Sequence, residues 1–369
     1  MIDDIFVIDA TVHPYNLSDA NLMRGEDGQP TIPAYFLREM LWALHWRWAE
    51  PAAKLPREVF VTDWQAETLA WTMFGESHTD LAVNHRLRID SVFNDGLCSH
   101  EKNLELAQRW PQRFINYAGV NPTVPVAEAI ADLRRQVEEI PGTIGVKVYP
   151  NAGSPDNTWQ MDSPEWEPFF ALLPELGIKV VALHKVVANG MVPLKPFGID
   201  DLEVVAVRHP ELMFEIVHAG LPPFVEEVSM ALMRLPNVFA NLEITSALLQ
   251  SGMGYIEDAV AQFIALGSPW KVIYSTGAMH FHPEPIVRAF ANLTFSDRVL
   301  ERYGIEQITK ADKKLIMGEN YARMIGLDIE KAKAAIAGDE FATAVEDNGV
   351  GEPWSFWRKN DPVWDGVQG

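Results

Sequence analysis

Short apolar runs, rich in β-branched residues, alternate with amphipathic stretches along most of this chain. The runs are Ile5–Val12, Arg88–Phe93, Arg113–Val120, Thr143–Tyr149, Ile178–Leu183, Leu212–Val217, Val238–Leu242 and Lys271–Ser275. Short runs of this kind between turn residues have the pattern of parallel strands buried on both faces. The stretches between them have helical spacing; in Pro125–Glu139, Ala127, Ile130, Leu133 and Val137 recur at three- and four-residue steps. Eight such strands with interleaved helices and right-handed crossovers predict an α/β fold, a (β/α)8 TIM barrel.

Two segments depart from the repeat. The stretch 14–85, between the first and second predicted strands, is expected to be a helical insertion whose segment Phe36–Trp48 carries Trp42, Trp46 and Trp48. It would cap the barrel mouth, form a subunit contact or pack as core under a long loop. After predicted closing helices at Ala311–Leu327 and Ile329–Ala337, the segment 338–369 is acidic and turn-rich, yet holds Trp354, Phe356, Trp357 and Trp364. An unstructured tail rarely carries so many aromatics, so an arm packed on its own barrel or on a neighbour is expected. The barrel itself would span 1–337.

A net charge of −21 disfavours nucleic acid and anionic membranes as partners. Cys98 is the sole cysteine, so no internal disulfide can form and a reducing compartment fits. With no basic-then-apolar leader and no run of membrane-spanning length, a soluble cytoplasmic protein is expected.

Three of the apolar runs end on histidine: His13, His184 and His218. Strand ends of a barrel converge on one open face, where active sites of this fold lie. One histidine ending a strand has little weight; three on predicted strands one, five and six can meet around a divalent metal, since neutral imidazoles suit zinc, iron or manganese. Glu243 after strand seven and Asp95 after predicted strand two are carboxylates on the same face. No Gly-x-Ser-x-Gly elbow and no phosphate-cradling loop compete with this assignment, and Ser251-Gly-Met-Gly254 reads as a turn before a helix.

In order and spacing, Ile8-Asp-Ala-Thr-Val-His13, Gly145-Val-Lys-Val-Tyr149, Val181-Ala-Leu-His184, Val217-His-Ala-Gly220, Tyr274-Ser-Thr-Gly-Ala-Met-His280 and Gly318-Glu-Asn-Tyr-Ala-Arg-Met-Ile-Gly-Leu327 resemble the amidohydrolase-related barrels. The group in question contains aminocarboxymuconate-semialdehyde decarboxylase and related hydrolases, and the resemblance runs from about Ile5 to Leu327. It implies metal stations at the ends of strands one, four, five, six and eight. Two stations differ: the family's His-x-His appears as Thr11-Val-His13, and the aspartate expected after strand eight falls on Gly277. Lys147 lies where some relatives carry a carboxylated lysine bridging two metals; a lysine in a plain salt bridge is the alternative.

The resemblance implies His13, His184, His218 and Lys147 as metal-binding residues, with His280, Asp95 and Glu243 in proton transfer or ligand support. His280 and His282 are placed to replace the missing aspartate. The activity implied is metal-activated hydrolysis or decarboxylation of a small polar or carboxylate substrate. Two alternatives follow from the altered stations. One is a subunit of an oxygenase like 2-aminoisobutyric acid hydroxylase, with a dinuclear iron/manganese site. The other is a non-catalytic, zinc-retaining partner barrel. A homo-oligomer, or a hetero-oligomer with a homologous barrel subunit, is expected.

Overall fold

The computed structural model describes every residue except 155, 157, 158 and 366–369. Eight parallel strands form one sheet in sequential order: β1 (Ile8–Val12), β2 (Leu81–His85), β3 (Phe114–Val120), β4 (Gly145–Val148), β5 (Val180–His184), β6 (Met213–Val217), β7 (Val238–Asn241) and β8 (Val272–Ile273). The ring closes where Ala10 N–H donates to Tyr274 O at 3.2 Å and Val12 bridges Ala278 in parallel. This is the TIM barrel expected.

The strands are buried almost throughout, as strands covered on both faces must be. Alternate residues fill the interior or pack under the surrounding helices. Of the amphipathic helix, observed at Val126–Glu139, the buried face is Ala129, Leu133 and Gln136, while Ala127 is exposed. Gln136 is accommodated there because it exchanges hydrogen bonds with the Gly119 backbone of β3, at 2.9 and 3.0 Å. Gly318 marks where the closing helical segment meets the barrel floor: a Cβ there would lie 2.1 Å from Phe6 O.

The second strand corrects the expectation. Arg88–Phe93 is not a barrel strand; Leu87–Arg88 pairs antiparallel with Leu97–Cys98 in a small hairpin outside the sheet. The true β2 ends in Asn84 and His85, whose polarity breaks the apolar run, and both are fully buried. Asn84 Nδ2–H donates to Asn103 Oδ1, which offsets part of the cost of burying it. The insertion 14–85 therefore stops short of Leu81. Its helices are Ile32–Trp48, Arg57–Phe60 and Ala66–Phe74; the first lines the mouth, and the last packs Phe74 against Phe114 at the start of β3. The loop predicted at Pro150–Asn157 includes Pro155 and Asn157, which lie outside the described residues.

The arm packs on its own barrel. Arg113 clasps Asp339, Trp110 Nε1–H donates to Glu340 at 2.6 Å, and Trp354 and Trp357 are buried. Its firmest attachment is Glu76, only 2% exposed, which accepts from Trp354 N (2.9 Å), Ser355 Oγ (2.8 Å), Phe356 N (2.6 Å) and His282 Nε2 (3.2 Å). Among the described residues, no helix is long and apolar enough to cross a membrane.

Candidate active site

The strand ends bring together most of the residues singled out in the sequence. Glu243, two residues beyond β7, is the hub. Its Oε1 lies 3.2 Å from His13 Nε2, and its Oε2 lies 3.5 Å from Lys147 Nζ and 3.8 Å from His218 Nε2. His218 Nε2 is in turn 2.9 Å from His184 Nδ1. His184 stacks on Tyr149 with ring centres 4.3 Å apart. His218 and Ile244 hold positive φ angles of 68° and 62°, strained backbone for non-glycine residues and of the kind that gathers at functional sites.

Backbone carbonyls set the tautomers of two of these rings. His13 Nδ1–H donates to His85 O at 3.1 Å, and His218 Nδ1–H donates to Glu243 O at 3.3 Å. With Nδ1–H committed, the Nε2 of each ring is turned toward the same carboxylate, an approach that is favourable only with a proton or another cation between them. Burial pushes His218 down to about 4 and His184 well below the usual imidazole range, so both are neutral at physiological pH. Burial alone would raise Glu243, but the charge of Lys147 and the neighbouring imidazoles hold it well below the usual carboxylate range. Burial lowers Lys147. The result is a buried cluster rich in nitrogen and oxygen donors, with Lys147 at its edge.

The missing aspartate has a physical counterpart. A Cβ built on Gly277 would stand 3.1 Å from Glu243 Cγ and 3.4 Å from its Oε1. The Glu243 carboxylate, delivered from β7, fills the space that a side chain at 277 would enter. Thr11, in place of the other absent ligand, takes the Asn241 amide at 3.1 Å. Asn241 also donates to Glu215 at 2.7 Å, and Glu215 accepts from Tyr117 at 2.9 Å. That position has become part of a hydrogen-bonded barrel floor.

A cavity of about 250 Å³ opens above the cluster. His184, His218, Glu243 and His280 line its floor, and its walls are largely apolar, including Leu37, Leu41, Trp48, Tyr149 and Leu248. His280 donates Nε2–H to Leu41 O at 3.0 Å, which leaves the Nδ1 lone pair unpartnered. Burial pushes its pKa down to about 3.

Two expectations are corrected. Asp95 is not in the cluster: Asn16 and Asn21 donate to it, it accepts from Leu97 N–H at 2.9 Å, and it shapes the loop before the hairpin. Its placement followed from the misassigned second strand. His282 points to Glu76 rather than the cavity and anchors the arm. His13, His184 and His218 share one mouth, but among the described residues no three His, Cys, Asp or Glu side chains stand in chelating geometry. Instead His184 and His218 hydrogen-bond each other while Lys147 engages Glu243.

One interior residue was not foreseen. His85, ending β2, is fully buried, stacks on Tyr117 at 4.4 Å and has neither ring nitrogen partnered. A correct strand boundary would have shown a histidine at a fourth strand end.

The amidohydrolase family model matches residues 8–327. The chain belongs to the amidohydrolase family. Comparison with curated protein sequences finds no match. Among solved structures, an uncharacterised TIM-barrel protein from Bordetella bronchiseptica is 16% identical, covering 87% of this chain and 99% of its own, with a TM-score of 0.59. The 5-carboxyvanillate decarboxylase of Novosphingobium aromaticivorans, solved with manganese and 4-hydroxy-3-methoxy-5-nitrobenzoic acid, is 13% identical over 88% of this chain and 97% of its own, TM-score 0.55. A probable 2-pyrone-4,6-dicarboxylic acid hydrolase from Acinetobacter baumannii, with citric acid bound, is 14% identical over 87% and 99%, TM-score 0.50. At these identities the likeness establishes the barrel fold.

Proposed function

We propose that this member of the amidohydrolase family is a metal-dependent hydrolase or decarboxylase. In this reading His13, His184 and His218, with the Glu243 carboxylate, hold a divalent cation. The observation that carries the reading is the pair of backbone-fixed tautomers. His13 and His218 each commit Nδ1–H to a carbonyl and turn Nε2 toward an ionised carboxylate. Neutral imidazoles oriented by their other nitrogen, beside a deprotonated carboxylate, are the donor forms a divalent ion requires. His184 Nε2, which has no hydrogen-bond partner, and Glu243 Oε2, which faces only Lys147 and His218, supply further donors. Manganese in the Novosphingobium aromaticivorans decarboxylase of the same fold supports the choice of a divalent ion.

A divalent ion held there would lower the pKa of a bound water or polarise a carbonyl or carboxyl group. The chain's own residues do the rest. Glu243 supplies the negative charge that Gly277 cannot, and Lys147 balances it. His280, neutral with its Nδ1 lone pair free, offers a hydrogen-bond acceptor at the cavity floor. The apolar walls exclude water and fit a small substrate with an apolar body and one reacting carbonyl or carboxyl. Lys147 stands 3.5 Å from Glu243 as an ammonium, and its lowered pKa is what carboxylation of that amine would draw on.

Elemental analysis of the purified protein and of His184→Ala and His218→Ala, with hydrolysis of small esters and carbon dioxide release from small aromatic acids as assays, tests this. Divalent metal and metal-dependent turnover in the wild type, both lost in the variants, are expected. Full metal content in both variants would refute the ligand assignment. Two redox metals with oxygen-dependent turnover would point to an oxygenase. Turnover only with a co-expressed homologue would point to a partner subunit.

A further inference from the structure

The loop after β5 presents a side chain that the chemistry above does not use. Asn189 lines the cavity and is only 6% exposed, yet neither its Nδ2 nor its Oδ1 has a hydrogen-bond partner. Burying an amide with both ends unmatched is costly, and native proteins seldom do so without a group that arrives to match it. The wall contributed by the insertion helix has the same feature, since Trp48 Nε1 is buried and unpartnered.

The loop is held in place. Lys185, fully buried, pairs with Asp201 at 2.8 Å and donates to Pro196 O at 3.0 Å. Val186 N–H donates to Phe197 O at 2.8 Å, which staples the two ends of the loop together. At Gly190 a Cβ would already stand 3.5 Å from Leu37 of the insertion helix, so the two elements are in contact beside Asn189. A fixed amide is a selective one, because it cannot swing away to solvent.

The charge of the cavity narrows what Asn189 can meet. Among the described residues that line it, none is lysine or arginine, and a carboxylate, Glu243, stands at its floor. A second carboxylate on the substrate would therefore be desolvated with no cation to receive it. An asparagine amide offers one donor edge and one acceptor edge in a plane. Its complement is a neutral planar group that accepts and donates side by side.

We propose that Asn189 is the substrate-recognition residue of this cavity. The substrates it selects carry a primary carboxamide or lactam on an apolar body, rather than a second carboxylate. The proposal rests on the cavity being the active site.

Isothermal titration of the full-length protein with benzamide and with benzoate tests it. Benzamide should bind the wild type. Asn189→Leu, which removes donor and acceptor at similar volume, should weaken benzamide at least about tenfold, the scale of one lost buried hydrogen bond. Asn189→Asp, which keeps the shape but loses the donor, should also weaken it, and it carries the test if the leucine variant fails to fold. Benzoate should not weaken in parallel. No benzamide binding by the wild type, unchanged affinity in the variants, or equal loss of both probes would overturn the proposal. Metal content measured on the same preparations separates the two readings: metal-free protein with Asn189-dependent benzamide binding removes the metal assignment and leaves this one standing.

Discussion

His45 should make the insertion acid-labile, and the size of the effect follows from its two hydrogen bonds. The ring sits inside the helix Ile32–Trp48, fully buried, with Nδ1–H donating to His280 O at 2.6 Å and Nε2 accepting from Leu55 N–H at 2.7 Å. Both nitrogens are thus committed in one neutral tautomer. A second ring proton would face the Leu55 N–H, with no acceptor in reach. Burial lowers the pKa from the usual 6.5 to about 4, against the pull of the His280 carbonyl. Because the folded-state value lies below the unfolded one, the stabilisation is complete above pH 6.5 and is lost as pH falls toward 4. A drop of that size corresponds to about 3 kcal/mol. Urea unfolding of the wild type and His45→Gln at pH 7.5, 6, 5 and 4, followed by tryptophan fluorescence, isolates this residue, since all other titrations occur in both proteins. The stability difference between the two should shrink by about 3 kcal/mol from pH 7.5 to pH 4. A difference that stays constant over the range would refute the reasoning.

Other perturbations have outcomes that can be stated now. Lys147→Met leaves Glu243 ionised and buried without its cation; a loss of about 3–5 kcal/mol in chemical denaturation is expected, smaller when Glu243→Gln is added. Gly277→Asp puts a side chain against Glu243 at a φ of 72° and should cost about 1–3 kcal/mol in chemical denaturation. Adding Glu243→Ala should return part of that, and elemental analysis of the double variant should show divalent metal retained through the introduced carboxylate. Glu76→Ala strands the donors of Trp354, Ser355, Phe356 and His282, and should cost about 3 kcal/mol. Limited proteolysis should then cut the arm first, and an arm as resistant as the wild type's would contradict the assigned anchor.

Most of the architecture was legible in the sequence because strands buried on both faces are predominantly apolar. The second strand escaped because the two residues that end it, Asn84 and His85, are polar and buried, held by one Asn103 hydrogen bond and by stacking on Tyr117 that no local pattern reveals. That slip also displaced Asp95, whose assignment assumed a strand end that does not exist. The strand-end histidines and Lys147 were found, since barrel geometry alone brings such positions to one face. What sequence spacing could not give was the exchange between Gly277 and Glu243, which depends on how far the β7 and β8 ends approach one another. Nor could it separate His280 from His282: the two are neighbours in the chain, yet one looks into the cavity and the other holds the arm.

That divergence has a consequence for how the molecule is made. The turn that places His280 over the cavity is secured two residues later by a carboxylate shared with Trp354 and Phe356, which leave the ribosome only after the whole barrel has been synthesised. A nascent chain can therefore close its ring of strands before the partners that hold this turn exist. The arm's tryptophans are therefore the last contacts available to fix the turn that carries His280.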